Sequence, residues 1–545
     1  MRKAWKISAS VLFTVTLLLG GLFGDRLLAF NREAREVLRL YTELLEVAHE
    51  RYGDRVSYGD LVDASIEGMV RTLDPHTSYL SAEAYSSMKD RQQSSFFGLG
   101  ILVGTRNGQI TVITPIEGTP ASRMGLRAGD VITHIEGEST EGMNINDAVR
   151  QLKGPKGTEV TITLARPGLD EPIEVTIVRD EIPQISVRYA YMITPDTGYL
   201  SIDDFNRGTA HEVREAILSL REQGMQRLLV DLRRNGGGLL DQAIAVVEQF
   251  VPESAKVVET RGRTRDSRQE YYASNDRAKL DLPMVVLVGE GTASAAEIFA
   301  GAIQDHDIGL VVGTQTWGKG LVQTVYSLSY GAGLALTTAK YYTPSGRLIQ
   351  RDYSSWFDYS THSNGFVPAE IGQQESIAEE DPVEAFLTDL GRKVYGGGGI
   401  TPDVMVEPEE MSTSLQRLLA RNTFFDFAVS YANRSPIGSH DWKPTEEILV
   451  QYRDWLEEKE VVTATEWDEM MADPSMAENV KRYLHAEIFN AAFGIEARYE
   501  IIATGDTQIQ RALSVFDEAK ELLARRQALQ AASLADPEET SGLLN

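Results

Sequence analysis

Two short segments constrain this chain more than anything else in it: Gly291-Thr292-Ala293-Ser294-Ala295-Ala296-Glu297 and Thr316-Trp317-Gly318-Lys319-Gly320-Leu321-Val322-Gln323. The first sets a serine among small residues just after the apolar run Met284–Val288. The second sets a lysine between two glycines, with a glutamine four positions on. A serine hydroxyl is a weak nucleophile until a base takes its proton. A lysine can be that base when burial lowers its pKa from about 10.4 toward roughly 7–8. Small neighbours let a peptide backbone reach the serine, and flanking glycines give the lysine a tight turn. The pair reads as a candidate Ser–Lys hydrolase.

The surrounding pattern supplies a scaffold. Arg227–Leu232 reads as a buried strand running into Arg233-Arg234-Asn235-Gly236-Gly237-Gly238, with a helix over Asp241 to Phe250 behind it. Met284–Val288 is a second strand, followed by a helix from near Ser294, and Gly309–Gly313 is a third strand. Strand, glycine loop, helix is the α/β signature, and it places reactive groups at the carboxyl ends of strands. Before this, residues 95 to 180 read as short strands with one helix over Ile145 to Leu152 and a hairpin turn at Asn107-Gly108. Helical periodicity runs from Asn31 to Tyr79, through Val37, Leu40, Tyr41, Leu44, Leu45, Ala48 and Tyr52, and returns from Ser412 to Ala532. Ser354–Asp381 reads as polar loop.

At 545 residues the chain is too long for one core. Its net charge of −27 argues against nucleic acid, whose binders need a basic face. Without cysteine there is no disulfide, thiol catalysis or thiolate-held zinc. The eight histidines show no close ligand spacing, so no metal or other cofactor is expected. Arg2, Lys3 and Lys6 precede the apolar stretch Ile7–Gly24, the order of an export signal. Its length fits either a cleaved signal peptide or a short transmembrane anchor, with the bulk of the chain outside the cytoplasm.

In this order the segments resemble the carboxyl-terminal processing peptidases, or tail-specific proteases, over roughly residues 35–405. The resemblance rests on Leu73-Asp74-Pro75-His76-Thr77-Ser78-Tyr79, Phe97-Gly98-Leu99-Gly100, Asp231-Leu232-Arg233-Arg234-Asn235-Gly236-Gly237-Gly238, the serine and lysine segments, and Tyr341-Tyr342-Thr343-Pro344-Ser345-Gly346. One departure is the Asn-Gly-Gly-Gly run, where family members often carry proline after the asparagine.

The resemblance implies a multidomain α/β protein. Its parts are a signal or anchor over 1–30, a helical domain over 31–90 and an inserted PDZ domain over 91–181. A ClpP/crotonase-like serine peptidase core follows over 182–405, then a helical region over 406–534 and a disordered tail over 535–545. It also implies a secreted or periplasmic serine endopeptidase, anchored in the inner membrane by the N-terminal segment, that reads the C-terminal tails of protein substrates. By position Ser294 is the nucleophile, Lys319 the general base and Gln323 the group that orients the lysine. A homo-oligomer is compatible with the helical C-terminal region.

The oxyanion needs preorganised N–H donors. Ala295, at the start of the helix, is one candidate, and Gly237 is the other, with Gly236 or Gly238 as substitutes. Phe97-Gly98-Leu99-Gly100-Ile101 suits a carboxylate cradle beside which a peptide adds as a strand. Four rival readings bear on these residues. Ser294 could simply cap a helix. His306 could partner it instead of Lys319. Gly313 to Lys319 fits the first seven positions of a phosphate-binding loop, but Gly320 stands where a serine or threonine is needed, and a strand rather than a helix follows. The whole chain could be an inactive or latent tail-binding scaffold, a role that would not need serine, lysine and glutamine together.

Overall fold

A computed structural model describes residues 35–274, 280–352, 384–435 and 437–535. The segment Ile7–Gly24, the stretch Ser354–Asp381 and the tail from 536 lie outside them. The described residues form two units. One comprises the residues up to Glu83 together with Gln323–Thr337, and the other Ala84–Val322 with Thr338 onward.

In the first unit a helix over 35–51 precedes the helix Tyr58–Arg71. The second starts at a capping box: Asp60 N–H donates to Ser57 Oγ at 3.1 Å, and Ser57 N–H returns to Asp60 Oδ2. Of the apolar face expected on the first helix, Tyr41, Leu45 and Ala48 are half-buried, while Val37, Leu40 and Leu44 are exposed. The strand Ser78–Leu80 pairs antiparallel with Gly333–Ala335.

The second unit is built on a six-stranded sheet in the order Val187–Thr194, Thr197–Ile202, Arg227–Asp231, Met284–Val288, Gly309–Gly313, Val404–Met405. Only the first pair is antiparallel. Successive side chains of a strand face opposite sides of the sheet, and here both sides are covered. Leu228, Val230, Val286, Val288 and Val311 pack against the helices Thr209–Glu222, Leu240–Val247 and Ala295–Asp305. Leu229, Val285, Leu287, Leu310 and Val312 pack against Ala503, Ile509, Ala512 and Phe516 of the helices Ile495–Ala503, Thr507–Ser514 and Phe516–Ala535. This double burial explains the unbroken apolar runs Met284–Val288 and Gly309–Gly313. The last three helices of the described residues thus form the second face of this sheet. The helices between Thr413 and Phe493 build an aromatic cluster of their own around Phe424, Phe427, Tyr452 and Trp467.

The β-rich module is an antiparallel sheet in the order Ile101–Arg106, Gln109–Pro115, Val131–Ile135, Glu159–Ala165, Ile173–Val178, with the helix Ile145–Leu152 beside it. The expected hairpin closes at Asn107 and Gly108, both with positive φ (50° and 76°). Ser95–Gly98 pairs with Asp180–Pro183 and ties the module's two ends together. The module rests on the helix Thr423–Arg434. Asn107 Nδ2 donates to Asp426 at 3.2 Å, and the Arg106 guanidinium lies 5.3 Å from the centre of the Phe425 ring.

Candidate active site

Ser294 follows the strand Met284–Val288 through a tight turn and stands at the start of the helix Ala295–Asp305, every residue of which is buried. Its backbone has φ 55° and ψ −116°, a conformation L-residues rarely hold unless the surroundings impose it. Such strained strand-to-helix turns present a nucleophile at the top of a sheet. The turn is pinned by Thr292, whose hydroxyl accepts from Gly289 N–H and donates to Leu232 O. Ser294 occupies the helix N-cap position, as the rival reading expected, and its N–H donates to Glu297 Oε2 at 2.8 Å, the bond an N3 glutamate makes in a capping box.

Glu297 organises the site. It is fully buried, yet its carboxylate accepts four hydrogen bonds. These come from Ser294 N–H (2.8 Å), Thr316 Oγ1 (2.5 Å), Gly318 N–H (2.8 Å) and Lys319 N–H (2.9 Å). Burial pushes its pKa up, and those four bonds pull the other way. One oxygen, Oε2, binds the amides of both Ser294 and Lys319, so the two backbone nitrogens lie within about 6 Å of each other. Tyr341, buried and with its hydroxyl pKa raised by that burial, reaches the carbonyls of both Ser294 (3.0 Å) and Lys319. Lys319 itself is half-buried. Next to it Gly320 sits so close to Gln350 that a Cβ would be 2.8 Å from Gln350 N. Glu297 lies within the serine motif, but its role as a buried acceptor for loops about 20 residues apart shows only in three dimensions. The acid three residues after a helix-capping serine was the available signal.

The glycine loop lies against the serine. A Cβ on Gly237 would stand 2.7 Å from Ser294 Cβ and 3.0 Å from Ala295 N, and the residue has φ 104°. Only glycine permits that approach. Gly237 N–H donates to Asn235 Oδ1 at 2.8 Å, so this amide is committed within the loop. The Asn235 carbonyl accepts from Ala293 N–H at 3.0 Å. His306 sits at the far end of the helix. One ring nitrogen is 2.8 Å from Asp389 and the other 2.7 Å from Lys256 O. The strand Leu321–Ser327 follows the lysine, as a phosphate-binding loop would not allow.

Gln323 falls in the first unit, where its side-chain amide donates to His76 O at 2.5 Å. His76 is held by Asp74, which accepts from His76 N–H and Thr77 N–H at 2.8 Å each and from the Thr77 and Thr337 hydroxyls. Although burial opposes it, these bonds lower the Asp74 pKa. The Leu73–Tyr79 motif is therefore a turn that presents a carbonyl to Gln323.

In the β-rich module Leu99 is buried and Phe97 is 45% exposed. The carbonyls of Leu99 and Gly100 accept from Ala121 N–H and Ile116 N–H, at 2.9 Å each. Gly100 has φ 79°, and a Cβ there would lie 2.2 Å from Thr119 Cβ. Gly98 ends the short strand paired with Asp180–Pro183, and Ile101 begins the strand at the sheet's edge.

Residues 196–353 match peptidase family S41 and residues 111–166 match the PDZ domain. The carboxy-terminal-processing protease of Bartonella bacilliformis is 42% identical over 294 residues, covering 53% of this chain and 67% of that protein. The chain belongs to this family, the S41 carboxy-terminal-processing proteases. Such enzymes are serine-type peptidases. The CtpA protease of Bacillus subtilis is 36% identical over 301 residues, 55% of this chain and 64% of that protein. The chain thus spans about two thirds of the length of these curated relatives. A solved photosystem II D1 C-terminal processing protease is 26% identical over 69% of this chain and 95% of its own, with a TM-score of 0.34. Among the described residues no helix is long and apolar enough to cross a membrane, and no three His, Asp or Glu side chains form a metal cluster.

Proposed function

We propose that this S41 protease is an exported endopeptidase that captures the C-terminal tail of a protein substrate on its PDZ domain and cleaves it with Ser294 and Lys319. The observation that carries this reading is the shared Glu297 oxygen, which fixes the serine turn and the lysine loop to one point. A neutral Lys319 amine takes the Ser294 proton as Oγ attacks the scissile carbonyl. The oxyanion is met by Ala295 N–H and an amide of the 236–238 loop. Lysine returns the proton to the leaving amine, and water then hydrolyses the acyl-serine by the same route in reverse. Gln323, its amide set by His76 O, orients the lysine. The tail's carboxylate sits at Gly98–Gly100, and its residues pair with the edge strand Ile101–Arg106. Residues 1–30, with the apolar stretch Ile7–Gly24, carry the chain out of the cytoplasm and anchor it. Intact-mass analysis of the membrane-associated protein tests this, because loss of those residues together with a soluble product would exclude the anchor.

The test of the chemistry is cleavage of an unstructured protein ending in an apolar tail. The chain from Asn31 onward should cut it, and Ser294→Ala and Lys319→Ala should not. Cleavage surviving in both variants would remove the assigned site. One observation favours a second reading, a latent enzyme: Gly237 N–H is spent on Asn235 and must be released before it can serve an oxyanion. Tail binding without cleavage by the wild type would support it.

A further inference from the structure

The glycine loop that faces Ser294 is held from behind by the C-terminal helices. Arg233 Nη1 donates to Asp506 Oδ2 at 2.8 Å and to Gln508 Oε1 at 2.9 Å. Its Nη2 and Nε bind Asp231 at 2.6 and 3.1 Å. Asp231 also accepts from Tyr199 OH at 2.7 Å, and that hydroxyl meets Tyr499 OH at 2.8 Å. Burial works against the Arg233 charge, but Asp231 and Asp506 outweigh it and hold the guanidinium above its ordinary pKa. The anchors are themselves fixed. Asp506 accepts from Gln508 N–H and Ile509 N–H at the start of the helix Thr507–Ser514, and Gln508 Nε2 donates to Val406 O at 2.7 Å.

From Arg233 the path to the serine is short. A Cβ on Gly291 would lie 2.5 Å from Arg233 O, so the two loops touch backbone to backbone. Leu232 O accepts from Thr292 Oγ1 at 2.8 Å, and Asn235 O accepts from Ala293 N–H at 3.0 Å. A planar guanidinium that joins two carboxylates and an amide sets position in a way a lysine would not. Catalytic groups misplaced by about 1 Å can lose roughly 100-fold in rate.

We infer that Asp506 and Gln508 are positioning residues for the oxyanion loop, acting through Arg233, so that the C-terminal helical segment belongs to the catalytic apparatus. The inference rests on the Ser294–Lys319 reading and assigns the last helices a function beyond covering the sheet.

The test uses the full chain with Asp506→Asn and Gln508→Met together. Asparagine keeps the helix-capping oxygen and puts an amide N–H donor in place of the carboxylate oxygen that accepts from Arg233. The double variant should lower kcat on a tail-bearing protein by about 10- to 100-fold. KM and the Kd for a free tail peptide should stay at wild-type values. Reaction with a serine-directed fluorophosphonate should slow in parallel. Wild-type kcat and labelling in the double variant would overturn the inference. Should that variant fail to fold, Gln508→Met alone decides, with kcat several-fold down at unchanged KM expected, and wild-type kcat contradicting it. A Ser294→Ala control separates the two failures. If it still cleaves, the Ser–Lys reading falls. If it is inactive while the double variant is at wild-type kcat, only the positioning role falls.

Discussion

The catalytic sheet and the PDZ sheet solve opposite problems. In the catalytic sheet Met284–Val288 and Gly309–Gly313 are buried at every residue, and helices close both faces. In the PDZ domain Ile173–Val178 alternates between exposed and half-buried over most of its length, and Ile101–Arg106 is an edge strand. A sheet closed on both faces leaves the ends of its strands accessible, and at the carboxyl ends Ser294 and the glycine loop are held by buried polar contacts. An edge strand offers unpaired backbone groups to a peptide. The proposed function assigns chemistry to the sheet closed on both faces and recognition to the open edge strand. The two functions should therefore fail separately.

Ser294→Ala tests that separation with the largest effect. Cleavage should fall by about 10⁴-fold or more, while isothermal titration of a tail peptide should give the wild-type Kd. Loss of binding along with cleavage would mean the two regions are not independent. Glu297→Gln comes next. An amide cannot accept from all four donors, so kcat should fall about 100-fold and the unfolding free energy by about 2–4 kcal/mol. Wild-type kcat alongside lost stability in urea melts would make Glu297 structural only. Gly100→Val should act in the other direction. Its positive φ and the Thr119 side chain leave no room for valine, so the tail-peptide Kd should rise at least about tenfold, by roughly 1.4 kcal/mol or more. Hydrolysis of a short peptide without a tail should be untouched.

The smallest effect is a pH dependence of the core. Burial disfavours the His306 imidazolium, but Asp389 more than compensates, so its pKa in the folded state is raised above the ordinary 6.5. A raised pKa means stabilisation that is complete below about pH 6.5 and fades as pH rises through the folded value. His306→Gln should flatten that part of the stability profile without changing tail binding. A profile unchanged by the substitution would remove His306 as its source.

The contrast also explains what the sequence made legible. Met284–Val288, Gly309–Gly313 and Ile173–Val178 were readable residue for residue, because an unbroken apolar run and a strict alternation are local signals. The hairpin at Asn107-Gly108 was legible for the same reason. The serine and lysine segments stood out as motifs, yet Glu297, which joins them, did not. Three of its four donors come from a loop 19 to 22 residues away, and an acid in a helix's first turn has an ordinary local explanation. Two partners of Arg233, Asp506 and Gln508, lie 273 and 275 residues along the chain. An amphipathic helix announces that it will bury one face but not against what, so the pattern from Ser412 to Ala532 could not reveal that its last part covers the catalytic sheet.

The measurement that bears most directly on the account is peptide mapping after reaction with a serine-directed fluorophosphonate, in the wild type and in Lys319→Ala. A single adduct on Ser294 that is lost or greatly slowed in Lys319→Ala is the expected result. An adduct on another serine, or one on Ser294 that forms equally fast without the lysine, would contradict the Ser294–Lys319 site.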